Sequence, residues 1–337
     1  MTIKDLARLS GYSVGTVSRA LNGLPNVSEQ ARSAILALAQ ERGYQLNTNA
    51  KYLKQIHSSG IVAVVTGTSN ELFAQMIERI QQTLPTDRYP LTVDYVDENE
   101  DPVERALHLS REKKPAGLLF LGGDRRMYAK SFGEITLPSV VLTTDAARLG
   151  FDNLSSVTTD DVEAAECAME YLLERRIGVI AGDLSCSGPS RLRYEGCLLA
   201  LERCGLTLPD ECCATARYAF QDGYDAALRL LEQPGLTAIF AMSDVMAIGA
   251  MRALHDRGLR IPEDISVIGF DGLELGEFYT PKLTTIRQQA SLLVDRGVAL
   301  LLGTLERGAV ARHETVPFTL AVRESTSHPP RKDGTNS

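Results

Sequence analysis

The chain has 337 residues, of which 44% are hydrophobic, and a net charge of −8, which is enough for about two domains beyond a small one. No apolar run is long enough to span a membrane and the N-terminus does not resemble a signal peptide, so we expect a cytoplasmic protein and exclude membrane and exported classes. Six cysteines without a C-x-x-C spacing and five scattered histidines argue against a disulfide framework and a metal site, and no cofactor is expected.

Three short helices are predicted at the start of the chain. They cover Ile3–Leu9, Val14–Leu21 and Glu29–Arg42. Thr2 and Asp5 form a capping box on the first helix, and Ser13 caps the second after a tight turn. This spacing is typical of a helix-turn-helix, so the N-terminal part is predicted to bind DNA.

The second helix is predicted to place its N-terminal residues in the major groove. Val14, Gly15 and Ser18 are then expected to face outward, while Val17 and Leu21 face the core. Arg19 has a side chain that can bind a guanine with two hydrogen bonds. Short polar side chains suited to phosphate oxygens are expected at three positions, Ser13, Thr16 and Asn22.

The charge distribution agrees with a DNA-binding head. Residues 1–60 contain seven lysines and arginines against three acids, for a net charge of +4, which leaves −12 on the rest of the chain. Attraction to phosphates is therefore expected to be confined to the head.

Beyond residue 60, short apolar runs alternate with helical patterns. The predicted strands are Ile61–Val65, Leu91–Val96, Gly117–Leu121, Val140–Leu142, Ile177–Ala181, Ala238–Ala241 and Ser266–Phe270. The predicted helices are Leu72–Leu84, Val103–Glu112, Asp161–Arg175, Arg191–Cys204, Gly223–Leu231, Asp244–Arg257 and Gln289–Leu302. Such alternation predicts parallel sheets, and the number of strands favours two α/β lobes.

The head resembles that of the lactose-repressor/galactose-repressor (LacI/GalR) family in the strings over residues 2–7 and 13–22. The segment 47–54 is similar to the hinge helix of that family, and the resemblance assigns DNA contacts to Asn47, Ala50 and Leu53. It implies that Leu53 from each of two subunits wedges into the minor groove and bends the duplex. Tyr12 and Gly15 depart from the family pattern, and Gly15 offers no side chain for reading a base.

The body resembles the effector-binding core of the same family in the strings over 237–252, 261–271, 281–286 and 322–325. The resemblance implies an all-α head and an α/β core like the type I periplasmic binding proteins. The implied boundaries are a head over 1–46, a hinge over 47–58, a core over 59–327 and a disordered tail over 328–337. Lobe 1 is expected over about 59–158 and 289–318, and lobe 2 over about 159–288 and 319–327.

Parallel lobes bind ligands at the carboxyl ends of their strands, so a cleft between two lobes is the expected effector site. By motif position, the resemblance assigns Asp271 to the effector pocket as a residue that holds hydroxyl groups. It assigns Arg193 to the same pocket, where the planar guanidinium can bind a vicinal diol or a carboxylate. It also places Ser243 where the family often has asparagine, and Tyr218 where an aromatic ring can stack on a sugar. Thr66 and Phe73, which follow the first strand, are expected to face the cleft from the other lobe.

The resulting hypothesis is a dimeric DNA-binding regulator, expected to be a repressor, that recognises a near-palindromic operator and responds to a carbohydrate effector. A nucleobase effector is the alternative within the same fold. A sugar-modifying enzyme is disfavoured because no nucleophile or acid–base pair can be named, and a transport protein because it would need an export signal. Without leucine heptads in the tail, a coiled-coil tetramer is not expected.

Overall fold

The computed structural model describes residues 3–21, 25–42, 60–67 and 70–327, and the chain divides into two compact units, 1–57 and 58–337. The first unit contains three helices, α1 (Ile3–Ser10), α2 (Val14–Leu21) and α3 (Glu29–Glu41). The three predicted helices are therefore present, with ends that differ by one residue at most. The predicted Thr2 cap, the hinge over 47–58 and the tail over 328–337 lie outside the described residues.

The three helices close on a small core. The buried side chains that form it are Leu6, Ala7, Val17, Ala20, Ile35 and Ala39. Gly11 makes the turn between α1 and α2 with a φ of 73°, a conformation that a glycine adopts without strain. Val17 faces the core as predicted, and Leu21 is half-buried but packs against the same core. Ala20 is a further buried residue of α2 that was not predicted.

The second unit is built on two sheets of six strands each among the described residues. In the first sheet every neighbouring pair is parallel. Its strands, in chain order, are β1 (Ile61–Thr66), β2 (Leu91–Val96), β3 (Gly117–Leu121), β4 (Ser139–Leu142), β5 (Leu154–Thr159) and, much later, β11 (His313–Val316). The sheet with its helices is called lobe 1 below.

Helices cover both faces of the lobe 1 sheet. They are α4 (Glu71–Thr83), α5 (Pro102–Lys113), α6 (Arg125–Ser131) and α12 (Ala290–Arg307). Successive residues of β1 alternate between the two faces, with Ala63 packed under α4 and α12 and Val64 packed under α5. A strand buried on both faces reads as a continuous apolar run, which explains why β1 and β3 were easy to predict.

The second sheet has its own strands and a single large core. Its strands are β6 (Ile177–Ala181), β7 (Cys213–Thr215), β8 (Ala238–Ala241), β9 (Ser266–Asp271), β10 (Thr284–Gln288) and β12 (Phe318–Ala321). Its helices are α7 (Asp161–Glu170), α8 (Gly188–Arg203), α9 (Phe220–Leu230), α10 (Asp244–Asp256) and α11 (Leu275–Phe278). Only β12 runs antiparallel to its neighbour among these described strands, and this sheet with its helices is called lobe 2.

The chain passes between the lobes three times. It leaves lobe 1 between β5 and α7, returns between β10 and α12, and leaves again between β11 and β12, where Pro317 is the only connecting residue. These observations confirm the predicted fold class, which combines a helical head with a core of two parallel-sheet lobes.

Several elements were not predicted. Strand β5 is fully buried but carries serines and threonines in place of an apolar run. Ser155 Oγ accepts a hydrogen bond from the Arg312 amide, and Ser156 Oγ accepts one from the Ala146 amide, so these hydroxyls have partners in the core. Helix α8 begins three residues before the prediction, at Gly188, with Ser187 as its cap and Pro189 in its first turn.

Candidate functional site

A cleft opens between the two lobes at the carboxyl ends of their parallel strands. It has about 710 Å³ of empty space, including solvent at its mouth. Five of the six predicted effector residues line it, namely Thr66 and Phe73 from lobe 1 and Arg193, Tyr218 and Asp271 from lobe 2. The structure therefore brings together side chains that are up to about 200 positions apart in the sequence.

Arg193 is a buried side chain of the cleft, with 4% of its surface exposed. Its Nε donates to Asp161 Oδ1 at 2.8 Å and its Nη1 donates to the Met242 carbonyl oxygen at 2.6 Å. The guanidinium carbon lies 3.6 Å from the centre of the Phe270 ring, close enough for a cation–π interaction. Helix α8 supplies Arg193, and α7 supplies its main acidic partner.

The charge of Arg193 is balanced by buried carboxylates. Burial by itself lowers the pKa of Arg193, but Asp161, Tyr218 and Asp271 outweigh burial and raise that pKa above its ordinary value. Conversely, burial raises the pKa of Asp161, although Arg193 opposes the shift. A guanidinium fixed in this way can donate to a ligand only through the N–H groups that face the cleft. Because their direction is fixed, they favour hydroxyl oxygens that lie in line with these N–H bonds.

Asp271 ends β9 and lies on the same side of the cleft. Its Oδ1 is 3.8 Å from Arg193 Nη1 and accepts a hydrogen bond from Gln288 Nε2 at 2.8 Å. Burial raises its pKa to about 6, against the opposite influence of Arg193 and Gln288. Its φ of 114° lies in a region that side chains other than glycine rarely adopt, and such backbone strain is typical of functional sites.

Tyr218 follows β7, and a hydrogen bond to Ser190 holds its side chain in place. Its hydroxyl is 2.6 Å from Ser190 Oγ, which in turn donates to Ser187 Oγ at 2.9 Å. Burial raises the pKa of Tyr218. The ring is therefore fixed at the wall of the cleft, as stacking on a ligand requires.

Lobe 1 contributes hydroxyls that have no partner. Thr66 Oγ1 at the end of β1 and Thr143 Oγ1 after β4 are buried and have no hydrogen-bond partner among the described residues. Thr143 also has a φ of 66°, which is unusual for a β-branched residue. Phe73 lies beside Gly122, where an added Cβ would be 2.9 Å from the ring, so only glycine leaves room for Phe73 in this position.

Ser243 does not line the cleft, in contrast to its predicted role as an effector contact. Its side chain is 1% exposed, and its Oγ accepts a hydrogen bond from the Met246 amide at 3.2 Å. The residue is the N-cap of α10 and is absent from the cleft lining. A helix cap is thus the role that the geometry gives to Ser243.

Six polar residues of the cleft were not predicted from the sequence, and two of them, Asn70 and Ser187, cap α4 and α8. The other four are Glu98, Thr143, Asp183 and Gln288, each of which lies within two residues of the end of a strand or is its last residue. Their common signal is this position, because carboxyl ends of parallel strands converge on the same edge. Gln288 could not be assigned to the end of a strand because β10 was not predicted.

Several polar contacts between described residues connect the lobes beside the cleft, among them two hydrogen bonds between side chains. Asp124, which caps α6 in lobe 1, accepts from Arg191 Nη2 of lobe 2 at 2.8 Å. A second such hydrogen bond joins the residues that follow β7 and β2, where Arg217 Nη2 of lobe 2 donates to Asp97 Oδ2 of lobe 1 at 3.1 Å. The described state therefore has its lobes joined on both sides of the cavity.

The head presents a separate surface on α2. Ser13 caps the helix by accepting from the Thr16 amide at 3.1 Å, and its Oγ is 2.9 Å from Thr16 Oγ1. Val14 is 43% exposed, Gly15 and Arg19 are exposed, and Ser18 is half-buried. An added Cβ at Gly15 would meet only Ser13 Oγ, at 3.8 Å, so packing does not require glycine there. The remaining predicted DNA contacts, Asn22, Asn47, Ala50 and Leu53, lie outside the described residues.

The described residues contain no group of three potential metal ligands, and none of their helices is long and apolar enough to cross a bilayer. All six cysteines are free, and Cys186 is a half-buried member of the cleft wall.

Known proteins resemble this chain over nearly its whole length. Residues 2–47 match the family described as bacterial regulatory proteins, lacI family, and residues 170–326 match a periplasmic binding protein-like domain. The transcriptional regulator MalR of Clostridium butyricum is 33% identical over 331 residues, which cover 96% of this chain and 99% of MalR.

Solved structures show the same similarity. A Lac repressor dimer bound to operator and the anti-inducer ONPF has a TM-score of 0.77 and 27% identity, covering 97% of this chain and 99% of that one. A complex of the transcriptional regulator CelR with cellobiose has a TM-score of 0.70 and 25% identity, covering 96% and 99%.

Proposed function

Because the chain belongs to the lacI family of bacterial regulatory proteins, we propose that it represses transcription by binding an operator through α2 and releases or retains that operator according to the ligand in its cleft. The observation that carries the proposal is the exposed N-terminal half of α2 on a packed three-helix core. A regulator of this kind acts on chromosomal DNA, and so in the cytoplasm.

The chemistry of α2 supports contact with DNA. Arg19 is exposed and can form two hydrogen bonds with a guanine, while Val14 can contact the methyl group of a thymine. Ser13 and Thr16 carry hydroxyls at the start of the helix, where phosphate oxygens are also favoured by the helix dipole. A symmetric dimer of such heads requires a near-palindromic operator.

The cleft supports a carbohydrate effector. It combines a fixed arginine, carboxylates, unpartnered hydroxyls and the rings of Phe73 and Tyr218, which together match the polar edges and apolar faces of a sugar. The similarity to a regulator in complex with cellobiose points the same way. Among the described cleft residues we find no nucleophile paired with a base, so binding rather than catalysis is proposed.

Selection of bound duplexes from a random DNA library tests the DNA-binding role of the full chain. We expect enrichment of a near-palindromic sequence, and we expect Arg19→Ala to weaken binding to that sequence by about 1–3 kcal/mol. Arg42→Ala is the matched control, because Arg42 is an exposed cation of the head that follows α3. Failure to enrich any sequence, or equal losses in both variants, would contradict the proposed role of α2.

Leu53 tests the proposed bending of the operator, a role that rests on its motif position. Leu53→Ala is expected to lower operator affinity and to reduce the bend, measured by energy transfer between dyes at the ends of the duplex. Unchanged affinity together with an unchanged bend would reject the wedge while leaving the major-groove contacts in place.

A further inference from the structure

The charge of the cleft is one-sided. Of the described residues that line it, three are acidic, Glu98, Asp183 and Asp271, and Arg193 is the only cation. We propose that the cleft accepts uncharged polyhydroxy ligands and rejects sugars that carry a phosphate or a carboxylate, and that Glu98 and Asp183 set this discrimination. The inference rests on the proposed function and names the chemical class of its effector.

The positive charge of Arg193 is already used inside the protein. Asp161 accepts from its Nε at 2.8 Å, and Asp271 Oδ1 lies 3.8 Å from its Nη1. One cation between two carboxylates leaves no surplus positive charge for an anionic ligand. An anion brought to this arginine would meet those carboxylates at close range, which is costly in a partly dehydrated site.

Glu98 lies on the lobe 1 side of the cleft, where its side chain is 28% exposed. Burial raises its pKa, and Asp97, Asp222 and Asp183 raise it further, against the influence of Arg217. Its nearest cation, Arg217 Nε, is 3.9 Å away, but Arg217 also donates to Asp97 at 3.1 Å. Several acids therefore share one arginine.

Asp183 lies opposite, two residues beyond the end of β6. Its Oδ1 accepts from the Ser185 amide at 2.7 Å and from Ser185 Oγ at 2.6 Å, both of which are neutral donors. These hydrogen bonds lower its pKa and so keep it ionised. They fix the position of the carboxylate without cancelling its charge.

The cations nearest to this loop are bound to another acid. Arg126 Nη2 and Arg191 Nη2 donate to Asp124 Oδ2 at 2.7 Å and 2.8 Å, and Arg126 also donates to the Ser185 carbonyl oxygen. Asp124 is 2% exposed, so both arginines compensate a buried charge beside the cleft. They are consequently poor candidates to bind a phosphate.

The unpartnered hydroxyl of Thr143 supplies the independent sign of a ligand. Thr143 is 5% exposed and lines the cleft, and its Oγ1 has no hydrogen-bond partner within the described part of the chain. A buried hydroxyl left unpaired costs free energy, and a ligand hydroxyl can both donate to it and accept from it. Thr66 Oγ1 adds a second such group on the same lobe.

The thiol of Cys186 can report the electrostatic potential in the cleft, because its reaction with a charged reagent depends on that potential. This measurement does not require the effector to be known. Cys186 lines the cleft, whereas Cys204 is exposed at the end of α8. Iodoacetate and iodoacetamide are similar in size and differ by one negative charge. The intrinsic reactivity of a thiol affects both reaction rates equally, so the ratio of the two rates depends on the local electrostatic potential. Rates at both cysteines can be followed by peptide mass spectrometry on the full wild-type chain.

The ratio of iodoacetate to iodoacetamide rates is expected to be at least about fivefold lower at Cys186 than at Cys204 in the native chain, and equal at the two sites in urea. Glu98→Gln combined with Asp183→Asn should raise the ratio at Cys186 by about threefold or more and leave Cys204 unchanged. Glu195→Gln, which removes an exposed acid of α8 outside the cleft wall, is the matched control and should change neither ratio.

Equal native ratios at Cys186 and Cys204, or a ratio insensitive to the double variant, would overturn the inference. Thermal unfolding with maltose, glucose, glucose 6-phosphate and glucuronate gives a second test. Stabilisation of the wild-type chain but not of Arg193→Ala by either anion would also overturn it. These outcomes leave DNA binding by α2 untouched, so they are distinguishable from failure of the proposed function.

Discussion

The two walls of the cleft differ in how completely their polar groups are satisfied. On lobe 2, Arg193, Asp271 and Tyr218 are fixed by hydrogen bonds to neighbouring side chains and to a carbonyl. On lobe 1, Thr66 and Thr143 have buried hydroxyls without partners. One wall is thus pre-organised, while the other has unused hydrogen-bonding capacity.

This difference indicates how binding can be linked to the lobes. A ligand that first meets the fixed groups of lobe 2 loses little free energy to side-chain ordering. Hydrogen bonds to the threonines of lobe 1 are then gained only when that lobe is close. The ligand consequently favours the arrangement in which both walls contact it, and such differential affinity is what couples an effector to a conformational state.

Removal of the Arg193 side chain should have the largest effect on stability. It would also leave polar groups without partners on the lobe 2 wall, which would then no longer differ from the lobe 1 wall. Arg193→Ala leaves Asp161 and Asp271 buried without their cation, and we expect a loss of about 3–5 kcal/mol in the free energy of unfolding together with loss of any ligand response. Arg203→Ala, on the same helix but 60% exposed in its pair with Glu166, should change stability little. Similar losses in urea unfolding of both variants would contradict the buried-ion interpretation.

Asp271 should give an intermediate, pH-dependent effect. Its pKa is raised from 3.8 to about 6, so between these values the folded chain keeps a proton that the unfolded chain releases. The stability contributed by this proton is present below pH 4 and is lost as pH rises through 6. Relative to Asp271→Asn, the wild type should therefore lose up to roughly 3 kcal/mol between pH 4 and pH 7. A difference that does not change with pH would disprove the shifted pKa.

Two threonines give the smallest effects and the sharpest test of the comparison. Thr285 Oγ1 donates to the buried carboxylate of Asp244 at 2.5 Å, and we expect Thr285→Val to cost about 1–3 kcal/mol. Thr143→Val keeps the shape of the side chain but removes an unpartnered hydroxyl, so the free energy of unfolding should stay the same or increase slightly. A loss at Thr143 as large as that at Thr285 would show that its hydroxyl is not an unused group.

The sequence predicted those features whose signal is local. The capped helices of the head and the apolar strands such as β1 and β3 follow from neighbouring residues alone. The pocket residues Arg193 and Asp271 were identified through motif resemblance, and their partners Asp161 and Gln288 were not. Those partners depend on which strands and helices become neighbours, and neither burial nor spacing of single residues encodes that information.

Ser243 and the edge strands illustrate two limits of such prediction. Motif position placed Ser243 correctly after β8 but did not show that its hydroxyl caps α10. Strands β7, β11 and β12 are short and only partly buried, so they have no continuous apolar run. Their position in the sheets is determined by pairing with strands distant in the sequence.

The chain crosses between the lobes three times, and this affects the order in which its parts can fold during synthesis. As the chain leaves the ribosome from its N-terminus, lobe 1 lacks α12 and β11 until residue 316 has emerged, and lobe 2 lacks β12 until residue 321. Neither sheet can be completed before the other is nearly finished, whereas the helices of the head are continuous in sequence and can fold early. A nascent chain that stalls near residue 280 would therefore carry a folded head and two incomplete sheets, and we expect its ability to bind operator DNA to precede its ability to respond to a ligand.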